Sequence, residues 1–423
     1  MKLFGLHIEH KDNLSFLVCC VETKYKTRSD QLWLSLDSDY ENLLSVDVYD
    51  AFLVAFLYPA MFYNEEEIVI EGNISPRLYF HLTNYLQHIL KAYNSELSFV
   101  KVSPQGFSVP KQTMQHIGTG FTGGIDAFTT IIDRYENEKD SKRRIDMLFF
   151  NNFSSHTGAT GYLQENEKAI AHEYYELLKG FPQSIGIPYV QVDSNIFDFW
   201  VDRWEYTIRS LANAFMVLAL QKGIKYYYLS GEFSYKEHID KLFTPSMFNL
   251  EEVTELYLFP HLCTEVVDIL QEGSQYSRLE KTEKVVKYLP ARDYLNVCTC
   301  PHKEGKRWNV HNCNYCTKCT KVLLALDVLG ELDNFSKVFD IEDYKIRRHD
   351  LWCECLAGLK IKPVFMQEIV DYAHEHGYDG MPSQKEMRKW KNDLSRTKKY
   401  GRLFSFPRRV VNRLKKVVEQ ICK

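Results

Sequence analysis

The stretch Gly118-Thr-Gly-Phe-Thr-Gly-Gly-Ile-Asp-Ala-Phe-Thr-Thr-Ile131 decides how the rest of the chain is read, because Gly123 and Gly124 stand just ahead of Asp126 and a run of helical periodicity. Two glycines let the backbone turn with positive φ and approach an anion closely. The helix that follows points free amide hydrogens and its positive dipole end at the same place. The pattern is that of a phosphate-binding turn. Two plainer readings compete with it: a glycine pair often makes an ordinary turn, and an acid in the first turn of a helix is favoured by the dipole alone.

Working outward, strand and helix signals alternate. A helix is expected from the Gly-Gly turn to about Tyr135, a strand at Ile145–Phe150, a helix at Glu165–Lys179, a strand at Ile187–Val192, a helix at Tyr206–Lys222 and a strand at Lys225–Ser230. Alternation of this kind predicts an α/β fold with a doubly wound parallel sheet. Ligands of such sheets bind beyond the carboxyl ends of the strands, here Asn151-Asn152, Asp193-Ser194-Asn195 and Gly231-Glu232. Asp193 and Asn195 suit either ribose recognition or a helix cap.

Cys313-Asn-Tyr-Cys316-Thr-Lys-Cys319 follows Cys298-Thr-Cys300, which puts five of the eleven cysteines within twenty-two residues. Spacing of i, i+3 and i+6 turns three sulfurs toward one centre, and an upstream cysteine completes a tetrahedral thiolate site. The fourth ligand is Cys298, with Cys300 the alternate. Zn2+ is favoured over an iron-sulfur cluster because no Cys-Pro ending follows Cys319. His302 and His311 are possible further ligands but read first as polar loop residues, and Cys19, Cys20, Cys353 and Cys355 read as core thiols.

The string Thr122-Gly-Gly-Ile-Asp126-Ala-Phe resembles the Ser-Gly-Gly-x-Asp-Ser loop of the PP-loop ATP pyrophosphatases. Thr122 keeps the first hydroxyl, and Ala127 lacks the second. Together with the late cysteine element the chain is similar to 7-cyano-7-deazaguanine synthases, whose cysteines hold structural zinc. It is more similar still to PP-loop-like proteins of bacterial surface-polysaccharide gene clusters. That likeness is carried by Asp50–Met61, Glu71–Pro76, Gly273–Lys281 and Leu295–Cys298 leading into Asn312–Cys319.

The resemblance implies ATP and Mg2+ as cofactors, held by Thr122, Gly123, Gly124, Asp126, Ala127, Asn152 and Asp193. It also implies that Asp126, Arg278 and Lys281 act on developing charge, although helical salt bridges commonly explain a spacing like that of Arg278, Glu280 and Lys281. The activity implied is adenylation of a carboxylate or carbonyl oxygen, followed by attack of an amine, ammonia or a thiol, with a glycan precursor as acceptor. Two alternatives are a non-catalytic scaffold on a decayed PP-loop fold, which Ala127 favours, and a nucleic-acid modifier like the tRNA-thiolating enzymes. The acidic body of the chain counts against nucleic acid.

The domains expected are an α+β unit at 1–112, a nucleotide-binding α/β unit at 113–335 carrying the zinc element at 298–319, and a helical segment at 336–423. In the first, Asp50–Phe62 and Pro76–Tyr93 carry helical periodicity, Leu3–Ile8 and Leu32–Leu36 suggest strands, and Glu65-Glu-Glu67 reads as a solvated charge run. With 45% apolar residues, no secretory leader and no apolar run longer than the 12 residues of Ala51–Phe62, a cytoplasmic protein is expected. His156 and His172 read as structural.

Residues 385–423 hold 14 Lys and Arg against three acids, a net of +11 that leaves −15 on the rest. Val410, Val411, Leu414, Val417, Val418 and Ile421 fall at helical spacing among basic residues. Such a helix docks on an anionic membrane surface or polyanion, or packs on the chain's own acidic body. Truncation after residue 384 decides between the two. Docking predicts loss of salt-sensitive co-sedimentation with anionic vesicles, and internal packing predicts a lower melting temperature with no vesicle binding by the intact chain.

Overall fold

The computed structural model describes residues 1–153, 167–200, 206–243, 255–305, 307–359, 361 and 363–400. They form two compact units. One comprises Met1–Thr122 with Asp126–Ser277, and the other Gly123–Ile125 with Arg278 onward. The basic segment after Tyr400, the strip around His156 and the start of the helix expected at Glu165 lie outside the described residues.

The first unit is built on a ten-stranded, mostly parallel sheet in the order β10 (Asp268–Glu272), β9 (Ile224–Ser230), β6 (His116–Gly120), β7 (Met147–Asn151), β8 (Tyr189–Ser194), β3 (Gln31–Asp37), β2 (Leu14–Glu22), β1 (Lys2–Lys11), β4 (Glu67–Ile74) and β5 (Lys101–Phe107). Five strands form its parallel half: β6 (His116–Gly120), β7 (Met147–Asn151), β8 (Tyr189–Ser194), β9 (Ile224–Ser230) and β10 (Asp268–Glu272). β7 and β8 extend from β6 on one side, while β9 and β10 extend on the other. The chain therefore reverses its direction of travel across the sheet between β6 and β9.

β7 shows why this half is closed on both faces, since all five of its residues are buried. Side chains alternate across a strand. Met147 and Phe149 join the core formed with the helices Asp50–Phe62 and Tyr206–Ala219. Phe150 faces the other way, edge-on to Tyr175 and Tyr189. On that side Phe121, Phe128 and Phe181 form a triangle with centroids 4.8 to 5.2 Å apart. Parallel strands with helices on both faces read as continuous apolar runs, as β7 does.

The second half of the sheet holds β1 (Lys2–Lys11), β2 (Leu14–Glu22), β3 (Gln31–Asp37), β4 (Glu67–Ile74) and β5 (Lys101–Phe107). It joins the first through antiparallel pairing of Leu34 and Ser35 with Ser194 and Asp193. Asn195 secures this seam. Its Oδ1 accepts from Trp33 N at 2.9 Å and its Nδ2 donates to Gln31 O at 2.8 Å. The amide expected to meet ribose or cap a helix is thus spent on the edge of β3.

Because the sheet runs through this seam, no compact unit ends at residue 112, and the cysteine element packs with the C-terminal helices. These bounds differ from the three-part division expected from the sequence. The Glu65–Glu67 run also differs from expectation. Glu65 is 2% exposed and accepts from Lys24 N at 2.8 Å, and Glu67 opens β4.

The helix Asp50–Phe62 is buried from Asp50 to Met61. At its start the Asp50 carboxylate accepts from Ser75 N at 2.8 Å and Gln221 Nε2 at 3.0 Å, and Thr264 holds the far end of the Gln221 amide. Burial pushes the Asp50 carboxyl up to about 7, against the pull of those two hydrogen bonds. Below about pH 4 the group is neutral in both folded and unfolded chains. As pH rises toward 7 the unfolded chain gives up this proton while the folded chain retains it, so stability falls across that window. The fall reaches about 4 kcal/mol at full ionisation. Asp50→Asn should flatten the decline in chemical-denaturation stability between about pH 4 and 7; an unchanged slope would contradict this assignment.

Candidate metal centre and glycine turn

In the second unit Cys298, Cys313, Cys316 and Cys319 bring four sulfurs within 4.8 Å of one another. The pairs Cys298–Cys316 and Cys313–Cys319 are each 4.0 Å apart. A tetrahedral ion with metal–sulfur bonds of about 2.3 Å sets its ligands about 3.8 Å apart. The set is therefore sized for one metal ion such as zinc. A multi-iron cluster would hold its outer thiolates farther apart.

Local sequence explains the convergence. Asn314 takes a φ of +63° inside Cys313-Asn-Tyr-Cys316, a left-handed turn that asparagine tolerates. Tyr315 N and Cys316 N then point at Cys313 Sγ at 3.5 and 3.3 Å. Cys316 caps the helix Thr317–Val328, and its sulfur accepts from Cys319 N at 3.4 Å. A helix N-terminus and amide donors both favour the thiolate. The Cys316 thiol is held far below its ordinary range by hydrogen bonds with its neighbours, that with Cys298 first. Cys298 is driven upward in turn, first by Cys300.

Cys300 N donates to Cys298 Sγ at 3.4 Å, and the Cys300 thiol hydrogen-bonds with the same sulfur. The four clustered sulfurs that could hold a metal include that of Cys298 and not that of Cys300. Between the two cysteine groups runs a hairpin of β11 (His302–Glu304) and β12 (Arg307–Asn309). His302 pairs with Glu304 and His311 is exposed, so neither belongs to the cluster. Cys19, Cys353 and Cys355 are buried as core thiols, whereas Cys20 is half-exposed. His172 is exposed on the helix Glu167–Leu178.

Asn312 is the side chain that organises this element, and nothing in its spacing announced it. Its Oδ1 accepts from Val297 N at 2.9 Å and Cys298 N at 3.2 Å. Its Nδ2 donates to Leu295 O at 2.9 Å and Val338 O at 3.0 Å. Next along, Asn296 Nδ2 donates to Val310 O at 2.8 Å.

The glycine turn has one part in each unit. Gly123, at φ +72°, belongs with the second, where its carbonyl accepts from Asn296 N at 2.8 Å. A side chain there would be strained, as expected of a turn residue. Thr122 and Asp126 belong with the first unit and are half-buried, at the carboxyl end of β6 and in the first turn of the helix Ile125–Ile131. Ala127 is 5% exposed and packs in the core, so its side chain offers a ligand nothing.

Gly118, earlier in the same stretch, serves the sheet. A Cβ there would come within 2.8 Å of Phe149 and 3.0 Å of Tyr227. Asn152 and Asp193 lie at the carboxyl ends of β7 and β8, the same edge of the parallel half as the end of β6. Asn152 is 8% exposed, and Asp193 Oδ1 accepts from Ser194 N. Arg278 and Lys281 sit on the helix Arg278–Val286 of the second unit at 8% and 0% exposure. The Arg278 guanidinium lies 5.7 Å from the centre of the Phe365 ring.

No family model, curated protein or solved structure matches the chain. Among the described residues no helix is long and apolar enough to cross a membrane.

Purified protein should be colourless and carry about one zinc per chain. Brown colour with iron and sulfide would assign a cluster instead. Cys316→Ser should lower zinc content and thermal stability together, because structural zinc contributes its binding free energy to folding.

Proposed function

We propose that the chain is an ATP-dependent adenylating enzyme of the PP-loop kind. The observation that carries this reading is the position of the Thr122-Gly-Gly-Ile-Asp126 turn. It joins the end of β6 to a helix N-terminus, and β6 is the strand beside which the sheet changes direction. Crevices for nucleotides form at such switch points, and the helix start supplies amide donors for phosphate oxygens.

In this reading the acceptor's carboxylate or carbonyl oxygen attacks the α-phosphate of ATP. The new oxygen–phosphorus bond forms as the bond to the β-phosphate bridging oxygen breaks, and pyrophosphate carries that electron pair into the glycine turn. An amine, ammonia or a thiol then attacks the activated carbon and AMP departs. The amides of the Gly123-Gly124 turn hold the leaving group where charge accumulates, and the Thr122 hydroxyl donates to it. Asp126 is the carboxylate suited to bind Mg2+, which supplies further charge neutralisation. Arg278 and Lys281 are the cations that the resemblance implies for the developing charge, and both are buried on a helix of the second unit. Their burial sets a condition, since a ligand must displace the protein contacts they now make. A glycan precursor is the proposed acceptor, and zinc the proposed occupant of the thiolate site.

The buried, apolar Ala127 favours a second reading, a nucleotide-binding protein without catalysis. Calorimetry with Mg-ATP tests binding. Gly124→Val should abolish it while unfolding stays cooperative, and equal affinity in both proteins would remove the phosphate-turn assignment. Pyrophosphate release in the presence of acceptors separates the two readings, because binding without release leaves only the second.

A further inference from the structure

We infer that the thiolate centre, acting through Asn312 and Asn296, positions the glycine turn, so that metal occupancy and nucleotide binding are energetically linked. This rests on the nucleotide reading only for the identity of the linked ligand. The path itself is in the structure, and every step of it lies within the second unit.

The path begins at the metal ligand Cys298. Two residues before it, Asn296 donates its backbone N–H to Gly123 O at 2.8 Å. The segment between them has little choice of position. Asn312 grips it at both ends, taking the N–H of Val297 and Cys298 on Oδ1 and the carbonyl of Leu295 on Nδ2. Asn296 adds a bond of its own to Val310 O at 2.8 Å. Asn312 is also adjacent in sequence to the ligand Cys313, and its Oδ1 lies 3.9 Å from Cys319 Sγ.

A metal bound by Cys298, Cys313, Cys316 and Cys319 therefore fixes both sides of this clamp, the strip 295–298 and the knuckle 312–319. Metal loss leaves the two sides joined only by the Asn312 hydrogen bonds, which must then hold the strip without the cross-link between their cysteines. The amide of Asn296 is then held less firmly against Gly123, whose φ of +72° is needed for the turn. Asn296 and Asn312 are positioning residues, acting on a ligand only through the turn. Coupling is reciprocal, so whatever the metal contributes to turn order a turn ligand must return as slower metal loss.

The test is hydrogen exchange on the full chain, read at the Asn296 amide and at Gly123–Ile125, with and without zinc. Zinc removal should speed exchange there by at least about fivefold, the low end of ordinary coupling between sites. Met147–Asn151, buried in the sheet of the other unit, reports whether the fold survives. Asn312→Ala, loaded with zinc and still protected at Met147–Asn151, should show the same local acceleration, which a residue serving only overall stability would not produce. If depletion unfolds the whole chain, that variant decides. Exchange at Asn296 and Gly123–Ile125 that ignores both zinc and Asn312→Ala overturns the inference.

The second arm measures zinc transfer to a chromogenic chelator. Saturating Mg-ATP should slow it at least about fivefold in the native chain and leave it unchanged in Asn312→Ala. A chain that binds Mg-ATP with no change in zinc transfer contradicts the linkage. A chain that binds no Mg-ATP but shows the zinc-dependent exchange loses the nucleotide reading and keeps the positioning role.

Discussion

Parallel strands cannot leave a face in water when their connections are helices laid over the sheet, and this constraint organises the first unit. β6, β7 and β9 sit in the interior of the sheet, and each helical return brings the chain back so that the carboxyl ends of β6 to β10 share one edge. The cost of burying so much backbone is met by ladder hydrogen bonds. Thr122, Asn152, Asp193 and Gly231 stand at the carboxyl ends of these strands.

The second unit solves a different problem with a small amount of chain. Helices with modest cores gain rigidity from polar hubs. Asn312 is one, and Asp327 is another. Tyr344, Tyr378 and Arg348 all donate to Asp327 Oδ2, at 2.7, 2.6 and 2.7 Å, which ties the helix Thr317–Val328 to the helix Ile341–Leu356 and to the turn after the helix Pro363–Glu375. A buried carboxylate is costly unless its lone pairs are used, and here one oxygen serves three donors. A metal at the four thiolates would brace the N-terminal end of the same helix.

Much of this was legible in the sequence. The helix Asp50–Phe62 has the bounds its apolar run implied, and β7, β8 and β9 overlap the apolar stretches assigned to them. What escaped did so for physical reasons. β6, His-Ile-Gly-Thr-Gly, carries two glycines and no strand periodicity; its place is set by Gly118 fitting between Phe149 and Tyr227. β4 begins in a run of glutamates that looks solvated until Glu65 is seen receiving a backbone amide. The metal ligands were readable because thiolate geometry imposes spacing. Asn312, Asn296 and Asn195 were not, because a side chain that satisfies main-chain groups from elsewhere in the chain leaves no local pattern.

The central claim is that the turn at Thr122–Asp126 receives the polyphosphate of a nucleotide. An ATP analogue carrying a photoreactive group on its γ-phosphate tests this without relying on turnover. The account predicts a single ATP-competable crosslink, mapping to the peptide that holds residues 118–131. Labelling that unlabelled ATP does not suppress, or that maps away from the glycine turn and the carboxyl ends of the parallel strands, would contradict it.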